Sequence, residues 1–170
     1  MAGYGLPNEQ HLSVVLQKSL EFDGHNIEII NGSVSGSTSA GGLNIAEWTL
    51  SENNIDLMIL CLGANDMLRG INPKETKNNL EEIIEIAKNK NIKVIIAGMI
   101  APTSYGFAYK KSFDKIFSDL SKKHKLQLIP FLLEGVAQNP KFNLSDGMHP
   151  NDQVTIIIGN TLKKAILENL

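Results

Sequence analysis

A chain of 170 residues is long enough for one domain with a sizeable core. Its 42% hydrophobic and 20% charged residues are ordinary for a globular protein. With 16 Lys+Arg against 18 Asp+Glu, the net charge of -2 argues against a general nucleic-acid binder, which needs a basic face.

No apolar run reaches the length of a membrane span, and no secretory signal is visible in these residues. The single cysteine, Cys61, excludes an intrachain disulfide. It lies in the apolar run "DLMILCLG", where burial without a neighbouring base makes a thiol inert.

The elements are predicted in chain order from apolar periodicity. Residues 8–21 read as a helix with Leu12, Val15, Leu16, Ser19 and Leu20 on one face. Residues 27–32, "IEIING", read as a short strand, and residues 41–52 as a helix. Residues 56–63, "DLMILCLG", are the nearly continuous apolar run of a parallel strand covered on both faces. A helix follows, with Asn72 as cap, Pro73 at its first position, and Leu80, Ile83, Ile84 and Ala87 as inner stripe. Residues 93–100, "KVIIAGMI", are a buried strand. Residues 107–124 are a helix with Phe113, Ile116, Phe117 and Leu120 inward. Its end carries Lys122-Lys123-His124-Lys125, where cations suit the helix dipole. Residues 126–131, "LQLIPF", are a strand, and a last helix runs from Pro150 towards Leu170.

This alternation implies an α/β domain, residues 1–170, with a parallel sheet and helices on both faces. Ligands of such folds bind at the carboxyl ends of the strands. Three loops lie there.

The first, "NGSVSGSTSAGG", residues 31–42, contains neither Gly-Lys-Ser/Thr nor GxGxxG, so it is no P-loop and no dinucleotide fingerprint. It reads as a plain Gly/Ser loop, as a phosphate cradle at a helix start, or as a loop offering the Gly36 N–H to an oxyanion. The second is "GANDMLRG", residues 63–70. Asn65 can present a neutral N–H to developing negative charge, and Asp66 can hold the loop through backbone hydrogen bonds; such a pair can also be only a turn. The third is "LSDGMHP", residues 144–150. Asp146 and His149 are spaced as an orienting carboxylate and a base, but the spacing alone favours the cap and exposed side chain of a turn that starts a helix. His11, His25 and His124 read as solvated surface residues, and no His/Cys/Glu cluster has metal spacing.

In their order and spacing the stretches "AGYGLP", "INGSVSGSTSAGGL", "DLMILCLGANDMLRG", "APTSYG", "IPFLLEGV" and "DGMHP" resemble the SGNH (GDSL) hydrolase family. The resemblance is to its branch of arylesterases, acyl-CoA thioesterase I and lysophospholipase L1, and it runs from Ala2 almost to the C-terminus. It implies a three-layer α/β/α, flavodoxin-like parallel sheet. It also implies serine esterase or thioesterase activity on a small-molecule ester or thioester, with no metal and no cofactor. By this resemblance Gly36 and Asn65 form the oxyanion hole, His149 is the general base, Asp146 orients it, and Pro102 and Tyr105 line the acyl pocket. Ser37 departs from the family, whose close relatives often carry Asp after the glycine.

A larger departure concerns the nucleophile. In the family, "AGY" is the tail of Gly-Asp-Ser-Leu-Xaa-Ala-Gly-Tyr, and Met1 occupies the Xaa position. The nucleophilic serine would stand two residues before Met1, on a strand that lies inside the sheet. The expectation is a sequence that begins at an internal methionine of a longer, active enzyme, with the 170 residues alone inactive. An export signal would then lie upstream, which leaves periplasm and cytoplasm of a bacterium both open. The alternative is a non-catalytic small-molecule or anion-binding module built on the same sheet.

Overall fold

The computed structural model describes residues 5–51, 54–137, 139–142 and 151–169. They form two compact units: one holds the residues up to Ser35 together with those from Leu133 onward, the other Gly36–Leu132. Among the described residues no helix is long and apolar enough to cross a membrane.

The unit Gly36–Leu132 is built on a parallel sheet of β1 (Leu57–Leu60), β2 (Lys93–Ala97) and β3 (Gln127–Ile129), in the order β1-β2-β3. Val94, Ile95, Ile96 and Ala97 of the central strand are all buried, as the continuous apolar run requires. The strand expected over 126–131 stops at Ile129, because Pro130 has no N–H for a ladder. Gly98 extends the pairing beyond β2: its N–H donates to Ile129 O at 2.8 Å and its carbonyl accepts from Leu132 N–H at 3.0 Å.

Helices cover this sheet. α2 (Ser39–Thr49) starts where Thr38 Oγ1 accepts from Gly41 N–H. α4 (Pro73–Asn89) is capped by Asn72, whose Oδ1 accepts Lys74 N–H at 3.0 Å, with Pro73 in the first turn as expected. Leu80, Ile83, Ile84 and Ala87 are its buried stripe, joined by Thr76. α5 (Phe107–His124) buries Phe113, Ile116, Phe117 and Leu120 and packs on α4, β2 and β3. Its basic end is a helix end, closed by Lys125 in the left-handed region at φ 55. One expectation fails there. His124 is not solvated: its side chain is 9% exposed, and Nε2 lies 2.5 Å from Glu81 Oε1 on α4.

The other unit pairs α1 (Leu12–Phe22) with α6 (Asp152–Leu167). Leu12, Leu16 and Leu20 are buried on the first, and Val154, Ile158, Leu162, Ala165 and Ile166 on the second. Lys163 donates to Ser19 Oγ at 2.9 Å and pairs with Asp23. Asn151 caps α6 through Gln153 N–H at 3.1 Å.

The strand expected over 27–32 is absent: these residues join no ladder. The reason is a competing partner. Gln17 Nε2 donates to Ile27 O at 2.7 Å, and Gln17 Oε1 accepts Ile29 N–H at 2.6 Å. A single side-chain amide thus takes the two groups that a neighbouring strand would pair.

A Cβ on Gly98 would lie 2.3 Å from the Pro130 carbonyl oxygen, a backbone atom that cannot move without shifting the segment after β3. Gly98→Ala is therefore expected to lower stability by about 1–3 kcal/mol in urea unfolding. An unchanged unfolding midpoint would mean that β2 and the chain after β3 do not approach so closely.

Candidate active site

β1 ends at Leu60 and the chain must turn at once into a helix. Gly63 makes that turn at φ 110, a left-handed backbone that favours glycine. A Cβ here would also lie 3.2 Å from the Phe117 ring, which would have to give by a few tenths of an ångström. The turn launches α3 (Ala64–Leu68), a short helix where the sequence suggested only a loop. α3 carries Asn65 and Asp66 at the carboxyl end of a parallel strand, where α/β folds bind ligands.

Asp66 is fully buried, and a buried carboxylate must be hydrogen-bonded. Its Oδ2 accepts Ser39 N–H at 2.8 Å. Its Oδ1 accepts Ser39 Oγ–H at 2.5 Å and Thr76 Oγ1–H at 3.2 Å. Asn79 Nδ2 in turn donates to Ser39 Oγ at 3.0 Å. Asp66 does hold a loop through a backbone N–H, but the loop is the one before α2, not its own.

Two further bonds from the same side clamp that loop. Asn65 Nδ2 donates to Ser37 O at 3.0 Å, and Arg69 Nη2 donates to Gly36 O at 2.9 Å. Gly36 itself turns at φ 75. Gly36 and Asn65, distant in sequence, are thus joined through one hydrogen-bonded loop. Ser37 contributes its carbonyl here, and its hydroxyl lies 3.3 Å from Thr38 O. Arg69, Ser39, Thr76 and Asn79 were not singled out from the sequence. Their partners lie 10 to 40 residues away, so no local pattern marks them.

Pro102 and Tyr105 bound a short 3-10 turn, Thr103–Tyr105, between β2 and α5. Tyr105 stacks on Tyr109 at 5.4 Å, Tyr109 on Phe113 at 5.9 Å, and Phe113 meets Phe117 edge-on at 5.7 Å. Tyr109 Oη donates to Ile71 O at 3.0 Å, just past α3. Burial first, then the neighbouring Tyr105 and Asp66, push the Tyr109 phenol up, so it stays a donor at neutral pH. The Pro102–Tyr105 turn is in this way tied to the neighbourhood of Asn65. Asp146 and His149 lie outside the described residues.

Two other groups bear on chemistry. Cys61 is a free, half-buried thiol whose pKa burial pushes up, which suits an inert role. Glu81, Glu85 and His124 bring ligand atoms within 4.8 Å of one another. Glu81 there already pairs with Lys123 at 2.8 Å and with His124, and these two hold its carboxyl below the usual range. A cation at this place would have to displace Lys123.

The profile of the GDSL-like Lipase/Acylhydrolase family matches residues 1–154. An arylesterase of Vibrio mimicus is 33% identical over 169 residues, 99% of this chain and 84% of its own length. Esterase TesA of Pseudomonas aeruginosa is 36% identical over 88% of this chain and 74% of its own length. The crystal structure of TesA superposes with a TM-score of 0.93 at 32% identity, covering 99% of this chain and 94% of that one. The psychrotrophic esterase EstA from Pseudoalteromonas sp., inhibited by monoethylphosphonate, gives 0.92 at 28% identity, covering 98% and 91%.

Asp66→Ala leaves three donors unsatisfied in a buried place and is expected to cost about 3–5 kcal/mol. Asn65→Ala removes one half-buried bond and is expected to cost about 1 kcal/mol or less. Equal losses for the two variants in urea unfolding would show that Asp66 does not anchor the loop.

Proposed function

The chain belongs to the GDSL-like lipase/acylhydrolase family, and on that basis we propose that it hydrolyses carboxylic esters or thioesters by passing the acyl group through a serine. The 170 residues are read as a single SGNH hydrolase domain. Relatives at 31–36% identity are named arylesterase, esterase and thioesterase/lysophospholipase, which leaves the anion-binding alternative unfavoured.

The observation that carries the reading is the grip of α3 on the loop 36–39. Arg69 holds Gly36 by its carbonyl while a positive φ turns its backbone. Asn65 Nδ2 spends one hydrogen on Ser37 O and keeps a second to donate. This supports a pair of neutral donors, the Gly36 N–H and the Asn65 amide, converging on one oxyanion.

The serine Oγ attacks the acyl carbon and His149 takes its proton. Asp146 accepts a hydrogen bond from the other imidazole nitrogen, which fixes the tautomer and supports the imidazolium. Gly36 and Asn65 stabilise the tetrahedral oxyanion. Its collapse expels the alcohol or thiol, which His149 protonates. Water then repeats the sequence on the acyl-enzyme and frees the acid. Pro102 and Tyr105 line the acyl group. The serine in this reading belongs to the Gly-Asp-Ser-Leu block, which the 170 residues do not contain.

Fluorophosphonate labelling read by intact mass tests this on the 170-residue chain beside one extended upstream through a strand and Gly-Asp-Ser-Leu. Only the extended chain is expected to gain the adduct and hydrolyse p-nitrophenyl esters, and His149→Ala is expected to abolish both. Asn65→Ala in that chain is expected to slow hydrolysis by on the order of 100- to 1,000-fold. An adduct on the 170-residue chain would place the nucleophile within it and sink this account.

A further inference from the structure

The segment after β2 reaches Pro102 through Met99, Ile100 and Ala101. Ala101 is 1% exposed and lies in no helix or strand, so no regular ladder serves its peptide groups. Buried backbone groups must find partners. Both groups of Ala101 find them on α5. Asp114 Oδ1 accepts the Ala101 N–H at 2.8 Å, and Lys110 Nζ donates to the Ala101 carbonyl at 2.8 Å. Lys110 and Asp114, one helical turn apart, also close on each other at 2.6 Å.

This is more than an exposed ion pair, for which little energy is expected. Each side chain is 29% exposed and each spends a charge-assisted bond on the same buried residue. The next residue is Pro102, which has no N–H to tether. Ala101 is therefore the anchor from which the Thr103–Tyr105 turn hangs. One residue earlier on α5, Tyr109 holds Ile71 O past α3. The first two turns of α5 so grip both the Pro102–Tyr105 wall and the chain leading from Asn65.

We propose that Lys110 and Asp114 are positioning residues for the acyl-binding wall and set which acyl lengths the enzyme accepts. The proposal rests on the ester-hydrolase reading above. Neither side chain touches a reacting atom. With the pair intact the wall keeps a fixed distance from α3. With either charge removed a charge-assisted tether on Ala101 is weakened or lost, the pairing between the two side chains goes with it, and the wall drifts. A long acyl chain that leans on the wall then loses its productive pose, while an acetyl group reaches it little.

The test uses the chain extended upstream through a strand and Gly-Asp-Ser-Leu, on p-nitrophenyl acetate and decanoate. Asp114→Asn and Lys110→Met are each expected to raise the ratio of KM for decanoate to KM for acetate about fivefold, through KM rather than kcat. The double variant is expected to do no more than either single change, and Lys110→Arg to restore the ratio. Amide exchange over residues 98–106 is expected to quicken in Asp114→Asn, with α4 unchanged. An unaltered KM ratio, an unaltered exchange rate, or an equal fall of kcat on both esters would overturn the proposal. Absence of hydrolysis by the parent chain would instead sink the reading beneath it, and the parent is measured alongside so that the two failures are distinct.

Discussion

A carboxylate cannot be taken out of water without donors to meet it. Asp66 is such a group, and its donors come from two separated parts of the chain, neither of them its own helix. Ser39 stands at the start of α2, Thr76 in the first turns of α4, and Asp66 itself on α3. Satisfying one side chain therefore fixes how three helix starts meet beside the end of β1. Its neighbours Asn65 and Arg69 have little freedom afterwards, and their bonds to Ser37 and Gly36 follow from that placement. The polar centre of the candidate site is a consequence of where a buried carboxyl group had to find hydrogen-bond donors.

The donors that meet Asp66 are also well chosen for rigidity. Ser39 gives both its backbone N–H and its hydroxyl, and Asn79 supports that hydroxyl from α4. A fully satisfied polar network specifies one arrangement, because every alternative leaves a buried donor stranded. The aromatic row from Tyr105 to Phe117 acts on the other side of the same region. It carries the Thr103–Tyr105 turn into the core through ring contacts, beside the hydrogen bonds that hold Ala101.

What could be read from the sequence divides along the range of the interactions. α4 was legible because its signals are local: Asn72 caps, Pro73 starts, and Leu80, Ile83, Ile84 and Ala87 repeat at helical spacing. α5 and the buried strand β2 were legible for the same reason. The 27–32 strand was misread because alternation reports which side chains share a face, not whether a neighbouring strand is present. His124 was misread because polarity in sequence says nothing of a partner such as Glu81, 43 residues away. Of the candidate site, Gly36 and Asn65 could be named from family likeness, but the atoms that join them could not. Arg69 and Ser39 reach across 33 and 27 residues, distances at which sequence carries no pattern.

The glutamine that displaces a strand has a wider consequence. Ile27 O and Ile29 N–H lie on one edge of an extended segment, and the Gln17 amide covers them as the peptide group of a parallel neighbour would. Ile30, which follows, is 58% exposed. An apolar extended edge left bare is a template for the edge of another molecule. Here the Gln17 side chain occupies that edge, so whether the edge is open to another strand depends on one side-chain rotamer and not on the sheet.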